Sequence, residues 1–107
     1  MNMREVNAFI HRNRIADVVS VLSSAGYRNL SVIDVHGLLR ALDNKEQQYS
    51  VEIGQKVITE VKLELVCENE SRTAKAVSLI REHAKTGQTN AGWIYISEIQ
   101  GAIEITG

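Results

Sequence analysis

The chain has 107 residues, and its 12 lysines and arginines against 13 aspartates and glutamates give a formal net charge of -1. That balance excludes a general electrostatic attraction to nucleic acid or to an anionic membrane. The length fits one domain over residues 1–107, and a domain of this size would gain buried surface by associating with other chains. With one cysteine and no Cys/His cluster at metal-ligand spacing, an internal disulfide and a structural zinc site are also excluded.

The first two elements are predicted from two different hydrophobic periods. Between Arg4 and His11 every second residue is apolar, as expected of a strand with one buried face: Val6, Ala8 and Ile10. Apolar residues then recur at the spacing of an amphipathic helix: Ile15, Val18, Val19, Leu22 and Ala25. Asn13 is the predicted N-cap of this helix, and Gly26 is its predicted end.

A second strand and a long irregular segment follow. Residues 30–36 (LSVIDVH) are rich in β-branched side chains and end at Gly37, which predicts a strand. Over residues 38–55 neither period is sustained, and three turn formers interrupt the segment: Asp43, Asn44 and Gly54. We therefore predict a long exposed loop, and connections of that length are typically functional or disordered.

The second half of the chain predicts a strand, a helix and two further strands. Residues 57–67 carry the longest alternating run in the sequence, which predicts a central strand. Asn69 can cap a helix that extends to Lys85 and turns four apolar side chains inward: Ala74, Val77, Ile80 and Ala84. After a loop rich in glycine and asparagine, two short strands are predicted over residues 93–98 and 102–105.

The order β-α-β-β-α-β, followed by a short terminal strand, is that of a ferredoxin-like α+β sandwich. Both helices would lie on one face of the sheet, so the other face needs cover, which further copies of the chain would supply. No signal-peptide pattern and no apolar stretch of about 20 residues occurs, which predicts a cytoplasmic protein without direct insertion into a membrane.

Short motifs along nearly the whole chain resemble the PII signalling protein superfamily in order and spacing. In the second half they are EVKLE at 60–64, KTG at 85–87, Ala91-Gly92 and IYI at 94–96. In the first half, Gly26, the strand into Val35-His36-Gly37 and then Arg40 resemble the PII strand that leads into its T-loop. Glu68-Asn69 and residues 91–96 are similar to the PII-like subgroup associated with bicarbonate transport and carboxysomes.

The resemblance implies a homotrimer that binds an adenine nucleotide in each cleft between subunits. It implies that residues 38–55 form the T-loop, through which a partner such as a bicarbonate transporter or a component of carbon metabolism is regulated. The base of the T-loop would be formed by Gly37 and Arg40, and a phosphate-holding B-loop by Gly87, Gln88, Thr89, Asn90, Ala91 and Gly92. The remaining implied contacts are Trp93, the strand residues Glu64, Leu65 and Val66, and Ser31 from the neighbouring subunit.

Four positions depart from the family pattern and alter the expected ligand. Trp93 stands where the family usually has a lysine, and Glu104 and Thr106 stand where it usually has arginines. Ala41 replaces the glutamine of the magnesium and 2-oxoglutarate site. Because a triphosphate is highly anionic, Glu104 should cost roughly 1 kcal/mol or more of binding free energy at short range. We therefore expect ADP or AMP rather than Mg-ATP, with bicarbonate as a candidate second ligand.

Other functions remain open from the sequence. A CutA-like metal-binding trimer would use His36 or His83, and a trimeric scaffold would need no small ligand.

Tyr49 lies about one position from the tyrosine that some PII proteins have modified. Cys67 ends a buried alternating strand and is expected to be a small core side chain. The sequence shows no Ser/His/Asp or Cys/His pairing, no P-loop and no pair of set-apart carboxylates, so it predicts no enzyme.

Overall fold

The computed structural model of the chain describes residues 3–34 and 60–107. The predictions made for residues 35–59 lie outside these ranges. They include the T-loop and several of the residues singled out above, among them Gly37, Arg40, Ala41, His36 and Tyr49.

Four antiparallel strands form one sheet, and two helices cover one of its faces. In chain order the elements are β1 (Arg4–His11), a 3-10 turn (Arg12–Arg14), α1 (Ile15–Ser24), β2 (Leu30–Ile33), β3 (Glu60–Cys67), α2 (Glu70–His83) and β4 (Gly92–Glu98). The spatial order of the strands is β2-β3-β1-β4, which makes β2 and β4 the two edges. This confirms the ferredoxin-like α+β prediction.

The core lies between the two helices and the face of the sheet on which every second residue of β1 and β3 is apolar and buried. On that face Val6 stands opposite Leu65, and Ala8 stands opposite Leu63. The helices contribute apolar side chains that are almost completely buried, Val18 and Leu22 from α1 and Ala76 and Ile80 from α2. Burial of such side chains supplies most of the favourable free energy of folding, about 1.5–3 kcal/mol for each large one.

The start of α1 differs from the prediction, whereas its end agrees. Asn13 is not the N-cap, because it lies inside the 3-10 turn, where its backbone N–H donates to Nδ1 of His11 at 3.2 Å. At the other end Gly26 adopts a φ of 90°, and the N–H groups of Gly26 and Tyr27 donate to the carbonyls of Ser23 and Leu22. This pair of hydrogen bonds is the Schellman motif, which requires the left-handed conformation that glycine adopts most readily.

The N-cap of α2 is confirmed, and its buried face is shifted from the prediction. Oδ1 of Asn69 accepts from the N–H of Arg72 at 2.8 Å. Of the four side chains predicted to point inward, Ile80 is buried and Ala74 is exposed, while Thr73 and Ala76 are buried instead. The hydroxyl of Thr73 donates to the carbonyl of Asn69 at 2.8 Å, so this polar side chain enters the core with its hydrogen bond satisfied.

The terminal strand predicted over residues 102–105 is wrong for the single chain. Residues 99–107 belong to no strand, and Ile103 and Ile105 are 95% and 97% exposed. A strand is stable only beside another strand, and no edge among the residues described in this chain pairs with this segment. The sequence of this segment therefore has the pattern of a strand, but the described part of the chain offers it no partner strand.

Arg72 joins the end of α1 to the start of α2. Its guanidinium lies 3.7 Å from the ring centroid of Tyr27 and donates to the carbonyl of Ala25 at 3.1 Å. We expect Arg72→Ala to lower the free energy of unfolding by about 1–3 kcal/mol, because a cation–π contact and a charged hydrogen bond are both lost. Urea denaturation measures this change. Lys75→Ala, at an exposed position on the same helix, is the control, and an equal effect of the two substitutions would contradict the assignment.

Candidate functional site

The face of the sheet opposite the helices is uncovered in the single chain, and its side chains form rows across the strands. The strand register gives two such rows, Ser31–Glu64–Asn7–Tyr95 and Ile33–Lys62–Phe9–Trp93. We call this surface the open face. Trp93 is 60% exposed and Tyr95 is 56% exposed, which is unusual for aromatic side chains on a regular strand.

The middle of the open face is organised by polar and aromatic contacts. Nζ of Lys62 lies 2.8 Å from Oε1 of Glu64 and 5.9 Å from the ring centroid of Phe9. The ring of Phe9 meets that of Tyr95 edge-on, with centroids 5.9 Å apart. Asn7 stands between Glu64 and Tyr95 in the strand register, and its Oδ1 is buried with no hydrogen-bond partner within the described part of the chain. The open face thus combines ordered side chains with an unsatisfied acceptor and exposed rings.

Three of the implied nucleotide contacts lie together at the β2 side of the open face. Ser31 stands directly opposite Glu64, and Val66 follows two residues later on the same face of β3. Leu65 lies between them and points the other way into the core, where it is only 2% exposed. Any contact that Leu65 makes with a ligand must therefore come from its backbone.

The implied B-loop leads into β4, on the other edge of the sheet. Its conformation is held by its own side chains, because Oγ1 of Thr86 accepts from the N–H of Gln88 at 3.3 Å and Oδ1 of Asn90 accepts from the N–H of Gly92 at 3.2 Å. Gln88, Thr89 and Asn90 are exposed, and Trp93 follows directly as the second residue of β4. The loop therefore presents polar groups beside an aromatic ring.

One chain does not bring these two groups of residues together. Ser31 is on edge strand β2, and the B-loop adjoins edge strand β4, with β3 and β1 between them. Three strand spacings correspond to about 14 Å, which exceeds the reach of the side chains concerned. The resemblance implies that Ser31 comes from the neighbouring subunit, and for that contact the β2 edge of one chain would have to lie beside the β4 edge of the next. Such a heterologous contact, when repeated, gives a closed ring or an open filament and not a two-fold dimer.

A second concave surface lies on the helix side of the sheet, between α2 and β4. It has a volume of about 890 Å³. We call it the α2–β4 groove and define it by Ala74, Val77, Ser78 and Arg81 of α2 and Ile94 and Ile96 of β4. Sequence reasoning did not predict this groove. The sequence feature that indicates the groove is the apolar stripe of α2, because Ala74 and Val77 are predicted to point into the core and instead form one wall of the groove.

Metal binding finds no support in residues 3–34 and 60–107, where no group of three potential histidine, cysteine or carboxylate ligands occurs. His36 lies outside these residues. His83 ends α2, and its carbonyl accepts two hydrogen bonds from the guanidinium of Arg14, at 3.0 and 3.1 Å. The hydrogen bonds to His83 therefore tie the 3-10 turn before α1 to the end of α2.

Cys67 is a core residue, as predicted, and we expect it to be unreactive. Its side chain is buried in the core cluster, and burial raises the pKa of the thiol. The folded protein should not react with Ellman's reagent at pH 8, whereas an exposed thiol introduced by Ser24→Cys should react at once. Rapid labelling of Cys67 in the native protein would contradict this burial.

The same pKa shift predicts how stability depends on pH. The unfolded thiol ionises above about pH 8.5 and the folded thiol only at higher pH, so the free energy of unfolding should fall as the pH rises past that value. Cys67→Ala should lack this component when urea denaturation is compared at pH 7 and pH 9.5. An identical pH dependence in the two proteins would contradict the prediction.

Over residues 3–34 and 60–107, neither helix is long and apolar enough to cross a bilayer.

Comparison with known proteins matches most of the chain to one and the same protein family. The family model described as "Nitrogen regulatory protein P-II" matches residues 3–107. Nitrogen regulatory protein P-II 1 of Methanothermobacter thermautotrophicus is 29% identical over 105 residues, which cover 96% of this chain and 89% of that protein. Nitrogen regulatory protein P-II of Pyropia yezoensis is 28% identical over 103 residues, with 96% and 91% covered. The crystal structure of Arabidopsis thaliana PII bound to citrate superposes with a TM-score of 0.66 at 25% identity, covering 92% of this chain and 78% of that one.

Proposed function

Because this chain belongs to the nitrogen regulatory protein P-II family, whose members are signalling proteins and not enzymes, we propose that it is a homotrimeric regulator that binds an adenine nucleotide in the clefts between its subunits. The observation that carries this proposal is the separation of the implied ligand contacts. Ser31 lies on one edge strand of the sheet, and the B-loop with Trp93 adjoins the other. Two neighbouring subunits of a ring would bring these two edges together.

The proposed nucleotide is ADP or AMP in preference to Mg-ATP. The exposed ring of Trp93 at the end of the B-loop offers an apolar surface where the family usually has a cation. Glu104 is exposed and adds a negative charge in the terminal segment. Fewer phosphate charges on the ligand mean less repulsion by Glu104, since the Coulomb energy scales with the product of the charges.

The proposed output is control of a partner protein through the T-loop. Residues 68–69 and 91–96 are similar to the bicarbonate-transport and carboxysome subgroup, so we infer a bicarbonate transporter or another component of carbon metabolism as the partner, with bicarbonate as a second ligand. The nucleotide must bind one state of the loop more tightly than another, because only a difference in affinity shifts a conformational equilibrium. This part of the proposal rests on the sequence resemblance.

Isothermal titration of the purified chain with AMP, ADP, Mg-ATP and bicarbonate tests the nucleotide site. We expect ADP and AMP to bind more tightly than Mg-ATP, and Ser31→Ala to weaken their binding. Ser97→Ala is the matched control, because Ser97 lies on the same open face, near the end of β4 that is farther from the B-loop. Absence of binding by all three nucleotides would overturn the sensor and leave the trimeric scaffold.

A further inference from the structure

Two backbone N–H groups of the implied B-loop are already occupied by side chains from the same stretch of chain. The N–H of Gly92 donates to Oδ1 of Asn90 at 3.2 Å. The N–H of Gln88 donates to Oγ1 of Thr86 at 3.3 Å. Between these two donors, the N–H groups of Thr89 and Asn90 make no hydrogen bond within the described part of the chain. The loop therefore has occupied donors near its two ends and available donors in its middle.

The sheet holds the Gly92 donor in place. Gly92 is the first residue of β4 and stands opposite Ile10 of β1. Its backbone lies so close to β1 that a Cβ at this position would be 2.1 Å from the carbonyl oxygen of Phe9. Asn90, in contrast, is an exposed loop residue. A ligand oxygen that approaches the Gly92 N–H must therefore displace the side chain of Asn90, because the donor itself is fixed.

The acceptor on Asn90 has the chemistry of a weak substitute for a phosphate oxygen. A carboxamide oxygen is a neutral acceptor, whereas a phosphate oxygen is charged and accepts a stronger hydrogen bond from the same N–H group. A phosphate can therefore replace the carboxamide. Its net gain is smaller than at an N–H group that faces water, because a hydrogen bond within the loop is lost in the exchange.

We propose that Asn90 determines the specificity of the proposed nucleotide site, by competing with the phosphate of the ligand for the N–H of Gly92. The inference rests on the proposed function, since the B-loop must be the phosphate site for this competition to exist. Thr86 has the same role at the N–H of Gln88. The loop thereby lowers the affinity for the phosphate part of the ligand and leaves the affinity for its nucleoside part unchanged.

Calorimetric titration of the chain and its variants with ADP and with adenosine tests this role. Asn90→Ala removes the competing acceptor, so we expect the dissociation constant of ADP to fall about threefold to tenfold and that of adenosine to stay the same. Asn90→Asp keeps an acceptor for the Gly92 N–H but adds a negative charge, so it should raise the dissociation constant of ADP about tenfold. Thr89→Ala, at the exposed neighbouring position, is the control and should bind ADP as the original chain does.

The aspartate variant separates competition from a purely structural role. If Asn90 only shaped the loop, Asn90→Ala would weaken ADP binding and Asn90→Asp would preserve it, and this result would overturn the proposal. An original chain that binds ADP, together with an Asn90→Ala variant that binds it no more tightly, overturns the inference and leaves the proposed function intact. An original chain that binds no adenine nucleotide overturns both.

A second measurement does not depend on how well the variants fold. In NMR spectra of the isotope-labelled original chain, ADP should shift the amide signals of Gly92 and Gln88, because their N–H groups exchange a neutral acceptor for a charged one. Adenosine should shift these two signals much less, since it carries no phosphate. A Gly92 signal that stays in place at saturating ADP would show that Asn90 is not displaced, and the proposal would fail.

Discussion

Gly92→Ala should be the most damaging single substitution among the glycines that the structure describes. A Cβ at this position would lie 2.1 Å from the carbonyl oxygen of Phe9, and Gly92 has a φ of 147°. No side-chain rotation can relieve a clash with backbone, so the first residue of β4 must separate from β1. We expect a loss of about 3 kcal/mol or more in the free energy of unfolding, measured by urea denaturation.

Two other glycines give matched controls for this prediction. Gly101→Ala meets no atom within 4 Å and should leave the denaturation midpoint almost unchanged. Gly87→Ala also has open space, but Gly87 has a φ of 84°, so we expect an intermediate loss of about 1–2 kcal/mol. Equal midpoints for the variants at positions 92 and 101 would show that β4 does not begin as described.

Restoring the family's cations should increase the affinity for ATP. Trp93→Lys combined with Glu104→Arg adds three positive charge units near the proposed phosphate position. At roughly 1 kcal/mol for each close charge in a partly solvated cleft, we expect the dissociation constant of ATP to fall by about 100-fold. AMP should gain much less, because it carries fewer charges. Titration calorimetry with ATP and AMP measures both values.

The control for this double variant is a change of charge away from the open face. Glu82→Arg alters the charge by two units on α2, on the helix side of the sheet, and should change ATP affinity only slightly. If the double variant binds ATP no better than the original chain does, Trp93 and Glu104 are not beside the phosphates. The proposed preference for ADP or AMP would then lose its physical basis.

Where one hydrophobic period dominates, the sequence was sufficient to predict the fold. The bounds of β1 agree at both ends, because a strictly alternating segment with one buried face has only one favourable orientation. Gly26 ended α1 as predicted, because the left-handed conformation at that position is specific to few residue types. These features are local, and local patterns encode them.

Features that depend on tertiary or intermolecular contacts were not predictable in the same way. The residue type of Asn13 predicts an N-cap for α1, but the chain makes a 3-10 turn at that position, and the side chain of His11 stabilises this turn. Thr73 is buried because it donates to its own helix backbone, which a hydropathy pattern does not register. Residues 102–105 have strand character, but whether they form a strand depends on a partner that the single chain does not provide.

The candidate site was predictable in parts and not as a whole. Alternation along β3 is sufficient to place Glu64 and Val66 on one face, and the register adds Ser31 beside Glu64. The sequence resemblance named Leu65 as well, although its side chain lies in the core. The distance between Ser31 and the B-loop follows only from the strand order, and the second chain that we propose would supply Ser31 at the site.

Native mass spectrometry of the purified chain in the presence of ADP tests whether the chain forms a nucleotide-binding trimer, because one spectrum reports both assembly and ligand binding. We predict a mass corresponding to three chains carrying up to three molecules of ADP. A monomer without bound nucleotide, at concentrations where PII-type trimers would be intact, would contradict both the assembly and the clefts from which the proposed function follows.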